Sequence, residues 1–124
     1  MNTEFASTKV DGCVVNSHTV IFRGRYGVTI RGEDVEEMIN LAMDHVTGEF
    51  GIISDRVYEF DIEPVSFYQQ VNTVPSLKAI AIVSYRPTTS SVANIEQGLC
   101  QKPLAIFDSL ESALCWMDAQ FTPA

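Results

Sequence analysis

The 124-residue sequence reads as a single α/β domain: a mixed, mainly parallel sheet of four to five strands with an N-terminal hairpin, accompanied by about four helices. Three observations lead there. Two Val-, Ile-, Phe- and Thr-rich segments, Lys9 to Asn16 and His18 to Gly24, meet at the polar pair Asn16-Ser17, as antiparallel hairpin strands do. After them, apolar runs alternate with amphipathic stretches of two or three turns, which implies right-handed crossovers between parallel strands. Finally, 46% hydrophobic and 19% charged residues in a chain of this length support one core. The domain is expected over residues 8–121, with 1–7 and 122–124 as short tails.

The elements follow in order. Arg23-Gly24-Arg25-Tyr26-Gly27 ends the hairpin, because two glycines permit a backbone course that β-branched residues resist. Val35, Met38, Ile39, Ala42, Met43 and Val46 then recur at helical spacing, predicting a helix from Glu33 to Thr47 with one apolar face. Glu33, Asp34, Glu36 and Glu37 suit the positive end of its dipole, His45 lies in its last turn, and Gly48 stops it. Phe50 to Ser54 and Leu77 to Ser84 are near-continuous apolar runs, as strands covered on both faces require, and Pro64 to Val71 between them reads as a helix. A polar helix from about Ser90 to Leu99 is expected to turn Val92, Ile95 and Leu99 inward. A strand from Pro103 to Phe107 leads to a last helix, capped by Asp108 or Ser109, that buries Leu110, Ala113, Leu114 and Met117. The expected core includes Val35, Met38, Ile39, Met43, Ile80, Ile82, Ile106, Leu110 and Leu114.

Charge narrows the function classes. Sixteen acidic residues against eight basic give a net charge of −8, so the basic stripe needed for nucleic acid is missing and an anionic membrane surface is disfavoured. No apolar run reaches the roughly 18 residues of a spanning helix, and Met1 to Lys9 lacks the apolar stretch of a signal peptide. A cytoplasmic location without membrane insertion is expected. Cys13, Cys100 and Cys115 have no CxxC spacing and read as reduced thiols on packing faces. His18 and His45 form no metal-ligand pattern, so neither a metal nor a cofactor is expected. The basic island Arg23, Arg25 and Arg31 has two readings: screening by the protein's own acids, or docking of an acidic partner.

Three stretches carry a resemblance. They are Val28-Thr29-Ile30 running into the acidic helix, Ile52-Ile53-Ser54-Asp55 at the third strand, and Lys102-Pro103-Leu104-Ala105-Ile106-Phe107 followed by Ser109, Glu111, Ala113, Leu114 and Trp116. With the element order, they resemble the SpoIIAA-like (STAS-like) fold. The last stretch is similar to the ending of small bacterial STAS/SEC14-like proteins of unassigned function. The likeness spans residues 8 to 120, and it implies a regulatory interaction or ligand-binding module of bacterial type. Phosphorylatable members of the wider family place a serine after an aspartate in a glycine-containing turn. Here the order is Ser54-Asp55-Arg56-Val57 with no glycine following, a departure from the phosphoswitch pattern that still leaves Ser54 open to modification.

A parallel sheet puts Ser54-Asp55-Arg56, Ser84-Tyr85-Arg86 and Asp108-Ser109 at the carboxyl ends of its strands, the edge where open α/β sheets bind ligands. On one reading Arg56 and Arg86 are spare, exposed guanidiniums that select an anionic small molecule or a partner's acidic surface. On the other, the serines and aspartates are helix caps and the arginines are solvated. The residues assemble no nucleophile with a base, so a non-enzymatic module is expected. Two alternatives stand beside it: a small enzyme with Asp55 as base and Arg56 or Arg86 as electrophile, and a carrier of an apolar ligand held among Phe60, Phe67, Tyr68 and Val71. The partner classes admitted are a protein, an anionic small molecule or a second copy of the chain.

Overall fold

Period-two alternation of apolar side chains builds the centre of the molecule. The computed structural model describes residues 3–122, the side chains of residues 88–90 excepted. In chain order the elements are β1 (Thr3–Ala6), β2 (Val10–Asn16), β3 (Thr19–Gly24), β4 (Thr29–Ile30), α1 (Gly32–Met43), β5 (Phe50–Arg56), β6 (Asp61–Ile62), α2 (Pro64–Asn72), β7 (Leu77–Ser84), α3 (Pro87–Leu99), β8 (Leu104–Phe107) and α4 (Leu110–Phe121). Among the described residues the main sheet has the order β1-β2-β3-β5-β7-β8, and β4 and β6 form a separate two-stranded ribbon. The β1–β2 and β2–β3 pairs are antiparallel; every later pair is parallel.

Alternate residues of each strand serve opposite layers. Val20 and Phe22 of β3, Ile52 of β5, and Ile80 and Ile82 of β7 pack against Val35, Met38 and Ile39 of α1, Tyr68 and Val71 of α2, and Ala93 of α3. Their neighbours Ile21, Ile53, Ala81 and Val83 face Ala113 and Met117 of α4. That helix lies close to the sheet because β5 carries Gly51, where any Cβ would run into Met117 Sδ.

The strand count is six rather than four or five, because Thr3–Ala6, read as part of a tail, pairs with β2 as an exposed edge strand. Residues 1, 2, 123 and 124 of the expected tails lie outside the described residues. The first helix ends at Met43, four residues early; the turn beyond it still packs Val46 against the core, and Gly48 takes φ +79°. Met43, expected in the core, is exposed. Ile106, Leu110 and Leu114 are half-buried, because β8 is a sheet edge and α4 is the lone helix described on its face. The largest departure is α3. It begins at Pro87, turns Val92 and Ile95 to solvent, and buries Ala93 and Glu96 instead.

Candidate functional site at the carboxyl edge

The end of β5 explains why α3 buries a glutamate. Ser54 and Arg56 are two apart and project into the three-helix layer; Asp55, between them, projects to the α4 side. Arg56, almost fully buried, grips Glu96 in a fork: Nη1 donates to Oε2 at 2.5 Å and Nη2 to Oε1 at 2.6 Å. Tyr68 Oη of α2 donates to the same Oε1 at 2.6 Å, Arg56 Nε donates to Ser54 Oγ at 3.2 Å, and the guanidinium carbon sits 5.8 Å from the Phe60 ring centre. Burial, followed by the Glu96 charge and hydrogen bond, drives the Tyr68 phenol far above its ordinary range, so it stays a neutral donor. A charge buried this deeply is tolerated when it is paired and its lone pairs are satisfied, and every buried side-chain polar atom among the described residues has a partner.

Asp55 is equally buried but belongs to a second cluster. It accepts from Arg23 Nε at 2.8 Å and from Tyr85 Oη at 2.7 Å. Burial first, then the bond to Asp55 and its charge, push the Tyr85 phenol up to about 12. Arg86 reaches back along the loop after β5, donating from Nη1 to the Arg56 carbonyl at 3.2 Å and from Nη2 to the Val57 carbonyl at 2.6 Å, with Glu59 3.7 Å from its Nε. Ser84 Oγ donates to the Arg86 carbonyl. Ser109 caps α4 by accepting from the Ser112 amide at 3.2 Å, and Asp108 is exposed.

The eight candidate residues therefore meet at one edge without forming one constellation. The pairing of Asp55 with Arg56 as base and electrophile is corrected: adjacent strand residues face opposite sides of the sheet, and each is already engaged. The description of Arg56 as a spare, exposed guanidinium is corrected likewise, since its partner Glu96 lay unseen on α3. Of the basic island, Arg25 pairs with Asp11, Arg31 with Glu63, and Arg23 with Asp55. Cys115 is exposed rather than packed, whereas Cys13 and Cys100 are half-buried. Among the described residues no three His, Cys, Asp or Glu side chains gather to hold a metal, and no helix is long and apolar enough to cross a membrane.

Two spaces flank Arg56. Between the sheet, α1 and α2, the region lined by Phe60, Phe67, Tyr68 and Val71 has only about 30 Å³ of room, the size of one water, so it offers no volume to an apolar ligand. On the outer side an open cleft of about 560 Å³ lies between the β4–β6 ribbon and α3. Tyr26, Tyr58, Phe60, Ile62 and Val92 line it, with Glu59 and Asp61 on its wall and Arg56 at its base. Gly27 takes φ +78° and its amide donates to the Glu59 carbonyl, while the Asp61 amide donates to Val28, which joins the ribbon's two entry loops. Sequence reasoning missed this cleft and Glu96; it named Arg23 in the basic island and Tyr68 beside an apolar cavity, without the partners they have here.

Neither the family models nor the curated proteins compared with this sequence match it. A solved structure does. An uncharacterized protein of the DUF3478 family with a SpoIIAA-like fold, from Shewanella loihica PV-4, aligns with a TM-score of 0.56 and 15% identity over 94% of this chain and 92% of that one. At that identity the likeness shows the fold: this is an α/β protein of SpoIIAA-like fold.

Proposed function

We propose that the protein is a non-catalytic regulatory interaction or small-ligand-binding module, and that the cleft between the β4–β6 ribbon and α3 is its recognition surface. The observation that carries this reading is the internal pairing of the charged groups at the carboxyl edge. Arg56 is held by Glu96, and both Asp55 oxygens accept hydrogen bonds from Arg23 and Tyr85. A general base must present an oxygen or nitrogen to a bound substrate, and Asp55 lies buried with both oxygens already engaged. What the edge does offer is an open, aromatic-lined concavity on a hydrogen-bonded frame, the usual form of a binding site.

On this reading the candidate residues divide by task. Ser54, Asp55, Arg56 and Ser84 hold the frame, with Tyr85 bonded to Asp55; Arg86 pins the loop carrying Tyr58; Ser109 caps α4 beside the exposed Asp108. Amide chemical-shift mapping with a panel of small anionic, neutral and cationic fragments tests it. Shifts grouped at residues 26–27, 57–62 and 92 are expected from at least one charge class. A panel that moves none of these amides contradicts the reading, as does hydrolysis of a generic ester or phosphoester that disappears in Asp55→Asn.

A further inference from the structure

The cleft's lining specifies a charge, and it is the opposite of the one Arg56 and Arg86 suggest from sequence. Arg56 at the base is neutralised by Glu96 in a two-point pair. Arg86 donates its terminal nitrogens to two backbone carbonyls and lies beside Glu59. The Asp61 carboxylate, by contrast, makes no hydrogen bond or ion pair with any of the described residues, and Glu59 is exposed with only the 3.7 Å approach to Arg86. An entering anion meets two carboxylates and engaged guanidiniums, whereas a cation meets carboxylates and aromatic faces.

The two tyrosines are open to solvent. Tyr26 is 77% exposed and Tyr58 52%, and neither hydroxyl bonds to a described residue. Phe60 already accepts one cation, Arg56, against its ring, and the ring backs onto Gly24, where a Cβ would stand 2.8 Å away. An alkyl-borne guanidinium or ammonium gains from ring quadrupoles and from nearby carboxylates together. The apolar surface also runs past the cleft: Val92 on its wall is followed three residues later by the exposed Ile95 on the same side of α3, and Val57 is exposed beside Tyr58. A free small cation would leave that surface uncovered; a polypeptide would cover it. Net charge −8 steers such a basic partner inward.

Resting on the reading of the cleft as a recognition surface, the geometry points to a specific occupant: an arginine or lysine side chain presented by a protein partner, its head between Tyr26, Tyr58, Glu59 and Asp61 and its flanking apolar residues on Val92 and Ile95. The test titrates the protein with acetyl-Ala-Leu-Arg-Leu-Ala-amide, followed by amide shifts, beside the same peptide with citrulline or glutamate at the centre, free arginine amide and inorganic phosphate. The arginine peptide is expected to shift residues 26–27, 57–62 and 92, and to bind about tenfold more tightly than its citrulline isostere. Tyr58→Ala and Asp61→Asn, both at exposed positions, are each expected to weaken it about fivefold with the melting temperature unchanged. Equal binding of the citrulline peptide, or tighter binding of the glutamate peptide or phosphate at the same amides, overturns the cationic assignment while leaving the cleft a binding site. Arginine amide binding as tightly as the peptide overturns the polypeptide occupant. Silence of these amides toward every probe overturns both this inference and the reading beneath it.

Discussion

Asp55 accepts from two donors in the interior, Arg23 on β3 and Tyr85 just past the end of β7, and Tyr85 is the donor whose chemistry reports on that arrangement. Its phenol, ordinarily at 10.0, is pushed up to about 12 by burial first and by its bond to Asp55 second. A proton held more tightly in the folded state stabilises it below pH 10, and that contribution is lost as pH rises through 12. Urea titrations across this window are expected to show falling stability, and Tyr85→Phe should fall less steeply; the buried Tyr68, shifted in the same direction, leaves part of the slope in place. Asp34 provides the acid counterpart. Burial raises its pKa, but the bond from Lys9 Nζ at 2.8 Å and the Arg31 amide together outweigh burial, so the carboxyl sits below its ordinary 3.8. Its contribution is present above that value and lost as pH falls below it. Asp34→Asn is therefore expected to flatten the acid limb of stability against pH.

Helices α1 and α3 differ in how openly their sequences declare the buried face. In α1 the 3.6-residue recurrence of Val35, Met38, Ile39, Ala42, Met43 and Val46 identified the inward side: the first four are buried and Val46 packs against the core, whereas Met43 is exposed. In α3 the same rule selected Val92, Ile95 and Leu99; Leu99 packs against the core, but Val92 and Ile95 are exposed, because a buried arginine on β5 requires a carboxylate opposite it and Glu96 supplies one. Periodicity counts apolar residues and is blind to a paired charge. β1 escaped for another reason: four mostly exposed residues on a sheet edge carry no alternation to read. The position of α4 yields a comparison of two side chains. Met117 is fully buried over Gly51, whereas Leu114, equally apolar, is half-buried. Met117→Ala is expected to cost about 2–5 kcal/mol in urea titration, as large-to-small core changes do, and Leu114→Ala clearly less.

Across the whole molecule, the order of the four helices and of the main-sheet strands from β2 on was legible because each apolar run is distinct, and that order, with three short stretches, carried the resemblance to the SpoIIAA-like fold. The candidate site was legible only as an edge. The period of two along Ser54, Asp55 and Arg56 already separates the acid from its neighbouring arginine, but the partners of both come from far along the chain, 32 residues back for Arg23 and 40 onward for Glu96. No local pattern announces pairs at such distance. The Arg56–Glu96–Tyr68 cluster joins β5, α3 and α2, and on the proposed reading its charge serves the frame and not a ligand or a reaction. A double-mutant cycle of Arg56→Met and Glu96→Leu, measured by urea titration in a Tyr68→Phe background that removes the hydroxyl otherwise left without an acceptor, tests this most directly. Each single change should cost about 3–5 kcal/mol by stranding a buried charge, and the double change should recover most of that loss. Two single changes of under about 0.5 kcal/mol that simply add would contradict the claim, because they would leave Arg56 free for other work.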